Sequence, residues 1–149
     1  MSYHYQYPRP AVTTDIVVLA GNEEMQKILL IQRARDPYKD MWALPGGFVD
    51  ENEDLVDAAC RELKEETGLV AGELKQIGAF GKPFRDPRGH TISIGFLALL
   101  EEIKPVTAGD DAAKARWFLL NELPPLAFDH GDIIKEALAV KHKSLLSFV

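Results

Sequence analysis

The sequence predicts an α/β protein, and three observations carry that expectation. Ala11 to Ala20 and Lys27 to Arg33 are rich in β-branched and aliphatic residues and read as early strands. A helical pattern with Leu55 in its first turns closes at Gly68. Two more strand-like runs follow, and helical spacing returns from Gly131 to Lys141 through Ile133, Ile134, Ala137 and Leu138. Strands and helices therefore interleave along the chain.

Met1 to Pro10 carries three tyrosines and two prolines and reads as an arm. It is either a disordered tail or a segment packed across a dimer partner. Gly21-Asn22 starts a turn after the first strand. Arg33 to Asp40 is a loop containing Pro37, and it leads into Met41-Trp42-Ala43-Leu44-Pro45-Gly46-Gly47. Pro45 has no N–H for a β-ladder, while Gly46-Gly47 lets the backbone come close to something. Glu53 lies near the helix start, where a carboxylate is favoured. Arg61, two turns on, is its expected partner, and both read as structural.

The helix carries the chemistry. With Leu55 set at zero and about 100° per residue, Ala59, Leu63 and Val56 fall near 40°, 80° and 100° and define an inward face. Asp57, Lys64 and Arg61 fall at roughly 180–240°, an ordinary wet face, and Cys60 near 140° reads as semi-buried. Glu62 and Glu66 land near 340° and 20°, in line with Leu55 and Ala59, with Glu65 near 280°. As a solvated helix end this is a poor arrangement. Like charges at i,i+4 repel, and negative charge opposes the macrodipole at a C-terminus. A hard divalent cation, Mg²⁺ or Mn²⁺, resolves the conflict by accepting carboxylate oxygens.

Gly68 fits a left-handed C-terminal position, with Leu69 returning to the core. Lys75 to Phe84 and Thr91 to Leu100 read as a strand pair. Between them Asp86-Pro87-Arg88-Gly89 matches a type I turn. Arg85 and Arg88 flank it, either as cations in water or as a clamp on substrate phosphate. Thr107 to Lys114 reads as a loop before a short strand, Ala115 to Leu119. Its Asp110 and Asp111 are turn formers by default. Pro124-Pro125 ends a short helical turn. His130 at the last helix start reads as a capping or packing group, with catalysis the alternative.

At 149 residues the chain is expected to be one domain, 1–149, burying roughly two thirds of its unfolded surface. A net charge of −6 without a basic run argues against duplex nucleic acid. The lone Cys60 excludes an internal disulfide. No signal core or transmembrane-length run is present, so a cytoplasmic protein without membrane contact is expected.

The stretch from Gly47 to Leu69 resembles the Nudix box, G-x5-E-x7-R-E-U-x-E-E-x-G-U with U aliphatic. Gly47, Glu53, Arg61, Glu62, Leu63, Glu65, Glu66, Gly68 and Leu69 fill every fixed position. Chance would give such a match on the order of once in a billion starting positions. The resemblance implies the Nudix fold, an α/β/α sandwich with a mixed β-sheet (α+β in some schemes). It also implies hydrolysis of a nucleoside diphosphate linked to another group. Glu62, Glu65 and Glu66 would hold Mg²⁺ or Mn²⁺, with Glu53, Arg61 and Gly68 structural. Asp111 would supply the further carboxylate that many relatives draw from this loop. Arg33, Gly46, Gly47, Arg85 and Arg88 are the substrate-binding candidates.

DIVVLA, WALPGGFVD, RDPRG and LAFDH together look like bacterial ADP-ribose pyrophosphatases over residues 11 to 140. That resemblance implies cleavage of ADP-ribose to AMP and ribose 5-phosphate by a homodimer. One departure is Arg85, which stands between Pro83 and Pro87 where some ADP-ribose hydrolases carry proline. Two other functions share the pattern: cleansing of oxidised nucleoside triphosphates, and ADP-ribose-type sensing in Nudix-derived repressors. Those repressors append a winged-helix domain and often lose box glutamates. This sequence ends at Val149 and keeps all three.

Overall fold

Every residue of the first strand from Thr13 to Ala20 is buried, the mark of a strand covered on both faces. The computed structural model describes residues 2–109 and 112–146. Its elements run β1 (Ala11–Ala20), β2 (Lys27–Arg33), β3 (Trp42–Ala43), β4 (Gly46–Phe48), α1 (Leu55–Thr67), β5 (Lys75–Phe80), β6 (Thr91–Leu100), β7 (Ala112–Leu119) and α2 (His130–Leu146). Parallel pairing joins β1 to β6 along its whole length, from Ala11↔Thr91 to Ala20↔Leu100. The other edge of β1 is shared. Its start pairs with β4 and its end with β2, both antiparallel. Strands β3 and β7 pair with β2, and β5 pairs with β6, giving a mixed sheet.

Alternation along the strands sends successive side chains to opposite faces. Val17, Leu19, Ile28 and Leu30 meet Ile133, Ile134 and Ala137 of α2. Ile16, Val18 and Leu29 meet Ala59 and Leu63 of α1. Each helix thus covers one face, and the α/β/α sandwich follows from two apolar faces needing two covers. Truncating the fully buried Leu63 to Ala is expected to cost about 2–5 kcal/mol. The division of β1 between β2 and β4 leaves the segment around Asp15 and Gly46 beside the end of α1, where the cleft opens.

Several boundaries differ from the sequence reading. β5 stops at Phe80, not Phe84; Gly81 and Pro83 follow, and Phe84 is exposed with a positive φ. β7 begins at Ala112, since backbone pairing with β2 overrides the loop-like composition there. α2 starts at His130 and runs on to Leu146. On α1 the buried set is Ala58, Ala59, Leu63, Glu66 and Thr67; including Ala58 turns the inward arc away from Val56 and Cys60, which are exposed. The expectations for Asp110 and Asp111 lie outside the described residues. The N-terminal arm touches the fold where the Tyr3 hydroxyl donates to Glu51 Oε2 at 2.7 Å. Among the described residues no helix is long and apolar enough to cross a membrane.

Candidate active site

The β1–β4 ladder sets Asp15 opposite Gly46 and Thr14 opposite Gly47. A Cβ on Gly46 would run into the Thr14 carbonyl oxygen, and one on Gly47 would lie 2.5 Å from Glu62 Cδ. The close approach expected of these glycines is therefore, first of all, to their own chain. It seats the loop backbone directly on the acidic end of α1. Gly46 N–H donates to Glu66 Oε2 at 3.1 Å, tying the same loop to a second acid.

Arg61 is the hub of the acid cluster, not the wet-face residue its helical angle suggested. Its long side chain reaches back along the helix, as helical side chains do. Nε and Nη2 fork onto Glu53 at 2.7 and 2.9 Å, and Nη2 also meets the Phe48 carbonyl at 3.1 Å. Nη1 bonds Glu62 Oε1 at 2.8 Å and Glu65 Oε2 at 3.2 Å. The Arg61 hydrogen bonds, with help from Asp50 N–H, hold the Glu53 carboxyl at about 2. Glu53 raises Arg61 in turn. Burial pushes Glu62 up, against the pull of Arg61. The three acids are not equally inward. The Glu62 side chain is 14% exposed and Glu65 59%.

Past α1, Gly68 is left-handed at φ 75° and donates its N–H to the Lys64 carbonyl, as expected of the helix end. Thr107 and Gly109 N–H groups donate to the Thr67 and Glu66 carbonyls, so the segment between β6 and β7 lies against the last turn of α1.

The donors Glu62, Glu65 and Glu66 are all oxygens, which suits a hard divalent cation in kind. Among the described residues no three His, Cys, Asp or Glu side chains already converge on one point. A cation such as Mg²⁺ does not require that, because it commonly keeps several waters and takes one or two carboxylates plus substrate phosphate oxygens. The residues fit such an ion by donor chemistry.

A cleft of about 460 Å³ opens beside these acids. It is lined by the acids Glu62, Glu66 and Asp50, by Arg33, Arg85 and Arg88, and by Asp15, Leu44 and His130. The arginines are not loose cations in water. Arg85, its side chain 4% exposed, forks onto Asp129 at 2.9 and 2.5 Å. Burial works to lower Arg85, but Asp129 outweighs it and the net shift is upward. Arg88 forks onto Asp86 at 3.0 and 2.8 Å and lies over the Phe48 and Phe128 rings. Burial would raise Asp86, yet Arg88 holds it below the usual range. Arg33 donates to the Pro37 carbonyl at 2.7 Å and lies over Phe128 at 4.9 Å. Burial, then the neighbouring Arg88, lowers it.

His130 is buried at the start of α2 and lines the cleft. Its Nδ1 accepts the Leu44 N–H at 3.0 Å, and burial lowers it against the pull of Asp15 and Asp129. Asp15 and Asp129 were missed by the sequence reading. A signal existed for Asp15, a lone acid inside a run of buried-strand residues. For Asp129 nothing local separated it from a helix-start acid.

The sequence model of the NUDIX domain matches residues 9–137. An ADP-ribose pyrophosphatase of Methanocaldococcus jannaschii is 47% identical over 138 residues, covering 91% of this chain and 78% of that protein. An ADPR responsive transcriptional repressor of Acinetobacter baylyi is 36% identical, covering 89% of this chain and 55% of the repressor. The solved NUDIX domain of Shewanella oneidensis NrtR, complexed with ADP ribose, superposes with a TM-score of 0.84 at 30% identity, over 89% of each chain.

Proposed function

From a chain that belongs to the NUDIX family, we infer a metal-dependent pyrophosphohydrolase that cleaves ADP-ribose with water to AMP and ribose 5-phosphate. One observation carries the reading. The glycine loop and the acidic end of α1 are interlocked at a cleft that three arginines also line, so acids for a cation and cations for an anionic diphosphate face one space. The 47% identity to an ADP-ribose pyrophosphatase supports the substrate.

Glu62, Glu65 and Glu66 would hold a divalent cation, Mg²⁺ or Mn²⁺, which when bound polarises phosphoryl oxygens and acidifies a coordinated water. The protein's own part is positioning. Arg61 holds Glu62 and Glu65 by hydrogen bonds and anchors the whole end of α1 to the preceding loop through Glu53. Arg33, Arg85 and Arg88 set positive charge along the cleft to receive the diphosphate, fixed in place by Pro37, Asp129 and Asp86. The backbone at Gly46 and Gly47 gives the substrate a wall without side chains. Asp111, outside the described residues, is retained as the candidate carboxylate that orients the attacking water. The proposal further takes residues 1–149 as one domain, acting as a cytoplasmic homodimer on a small nucleotide.

A panel of nucleoside diphosphate compounds and oxidised nucleoside triphosphates, with Mg²⁺ and Mn²⁺ and products identified by mass, tests the reading. AMP with ribose 5-phosphate is expected. Pyrophosphate released from a triphosphate as the main product would overturn the substrate assignment. The likeness to an ADPR responsive repressor favours a second reading, ligand sensing, which predicts ADP-ribose binding without turnover.

A further inference from the structure

We propose that Asp15 and His130 form a hydroxyl-binding pair on the cleft wall, reading a sugar hydroxyl of the group attached to the diphosphate. This rests on the hydrolase reading and names the part of the substrate that the pair recognises.

The orientation of each residue is fixed. Leu44 N–H donates to His130 Nδ1 at 3.0 Å, so in the neutral imidazole the proton sits on Nε2. His130 is 4% exposed, and burial favours that neutral form. Asp15 Oδ2 is taken by the Ser93 hydroxyl, which is itself fully buried. What remains is one donor, His130 Nε2–H, and one acceptor, Asp15 Oδ1, 3.5 Å apart. That is too long for an N–H···O hydrogen bond. Both residues line the cleft, and the separation of donor and acceptor leaves room for a third oxygen to meet both.

Among the described residues neither atom belongs to the fully buried atoms left without a partner, so both open onto the cleft, where a bound group can take them. A hydroxyl suits the pair, because one oxygen can accept from Nε2–H and donate to Oδ1. A phosphate oxygen only accepts and would face the Asp15 carboxylate. A metal ion would find Nε2 blocked by its proton.

Place decides which hydroxyl. Asp15 lies opposite Gly46 in the ladder, and Gly46 N–H holds Glu66. The pair therefore adjoins the acidic end of the cleft, so the hydroxyl it meets belongs to a sugar joined directly to the diphosphate. Gly46 also keeps this route open, since its Cβ would stand 2.7 Å from Asp15 Oδ1.

The test compares two substrates within each enzyme preparation: ADP-ribose, and an ADP ester of a plain alkyl alcohol. The ratio of their kcat/KM values cancels any misfolded fraction. Wild type is expected to prefer the sugar. Asp15→Asn, which keeps the Ser93 bond and turns an amide NH₂ toward His130, and His130→Gln should each lose about 10- to 100-fold of that preference, the worth of one hydrogen bond to a charged group. Gly47→Ala, whose Cβ displaces the Glu62 carboxylate, should slow both substrates and leave the ratio unchanged. A wild type without the preference, or variants that keep it, would overturn the proposal and leave the pair as a water site. Should His130→Gln not fold, Asp15→Asn decides. A wild type that cleaves neither ester refutes the hydrolase reading instead. The pair is then judged by calorimetry, where the sugar ester must bind more tightly than the alkyl ester and Asp15→Asn must abolish the difference.

Discussion

Adding one methyl group at Gly47 separates the site from the fold. An ideal Cβ there would lie 2.5 Å from Glu62 Cδ and 2.6 Å from each carboxylate oxygen, whereas ordinary contact begins at 3.4 Å. The shortfall, 3.4 − 2.5, is about 0.9 Å. The group in the way is the far end of a flexible side chain, so the carboxylate can swing aside and the fold is kept. If Glu62 holds the cation as proposed, a displacement of about 1 Å at its carboxylate is expected to lower kcat/KM about 100-fold, or about 2.7 kcal/mol of transition-state stabilisation. Gly46→Ala is the control. Its Cβ meets the backbone of Thr14, which cannot swing aside without breaking the β1–β4 ladder, so stability should fall by about 1–3 kcal/mol or more. The assay pairs thermal unfolding with steady-state kinetics on ADP-ribose. Wild-type kcat/KM in Gly47→Ala, or a loss of stability as large as that of Gly46→Ala, would refute the reasoning.

Glu65→Gln and Glu66→Gln should each abolish turnover while circular dichroism and the melting temperature stay near wild type, since a Gln oxygen can still accept from Gly46 N–H and residue 65 faces solvent. Glu53, held at about 2 against an ordinary 4.5, contributes stability that is fully present above 4.5 and lost as pH falls toward 2. Urea midpoints of Glu53→Gln should therefore lie below wild type at pH 6 and converge with it as pH falls through that window. His130 is lowered from its ordinary 6.5, so the folded state disfavours its protonation. Its contribution is full above 6.5 and declines as pH drops below that value, and His130→Gln should flatten this part of the stability profile.

The acidic helix end was legible because its meaning lies in spacing alone. Glu62 and Glu66 share a stripe with Leu55 and Ala59 whatever the tertiary structure, and Gly68 ends the helix as its backbone freedom suggests. Arg61 was only half legible. Its bond to Glu53, just before the helix start, could be expected from their spacing, but its grip on Glu62 and Glu65 depends on a side chain long enough to leave its own sector. Arg85 and Arg88 could be placed at a turn, yet their partners Asp129 and Asp86 and the rings of Phe48 and Phe128 are set by tertiary packing. The Asp15–His130 pair was hidden for the same reason, being 115 positions apart (130 − 15) and joined only when α2 covers β1. Strand ends drifted where composition and pairing disagreed, as at Ala112.

The most direct measurement is AMP release from ADP-ribose by wild type and Glu66→Gln, each titrated with Mg²⁺ and Mn²⁺ after chelation. Saturable metal-dependent release by wild type, absent from the variant at every metal concentration, is predicted. Release without any divalent ion, or equal release by the variant, would contradict the assignment of these acids as the cation site.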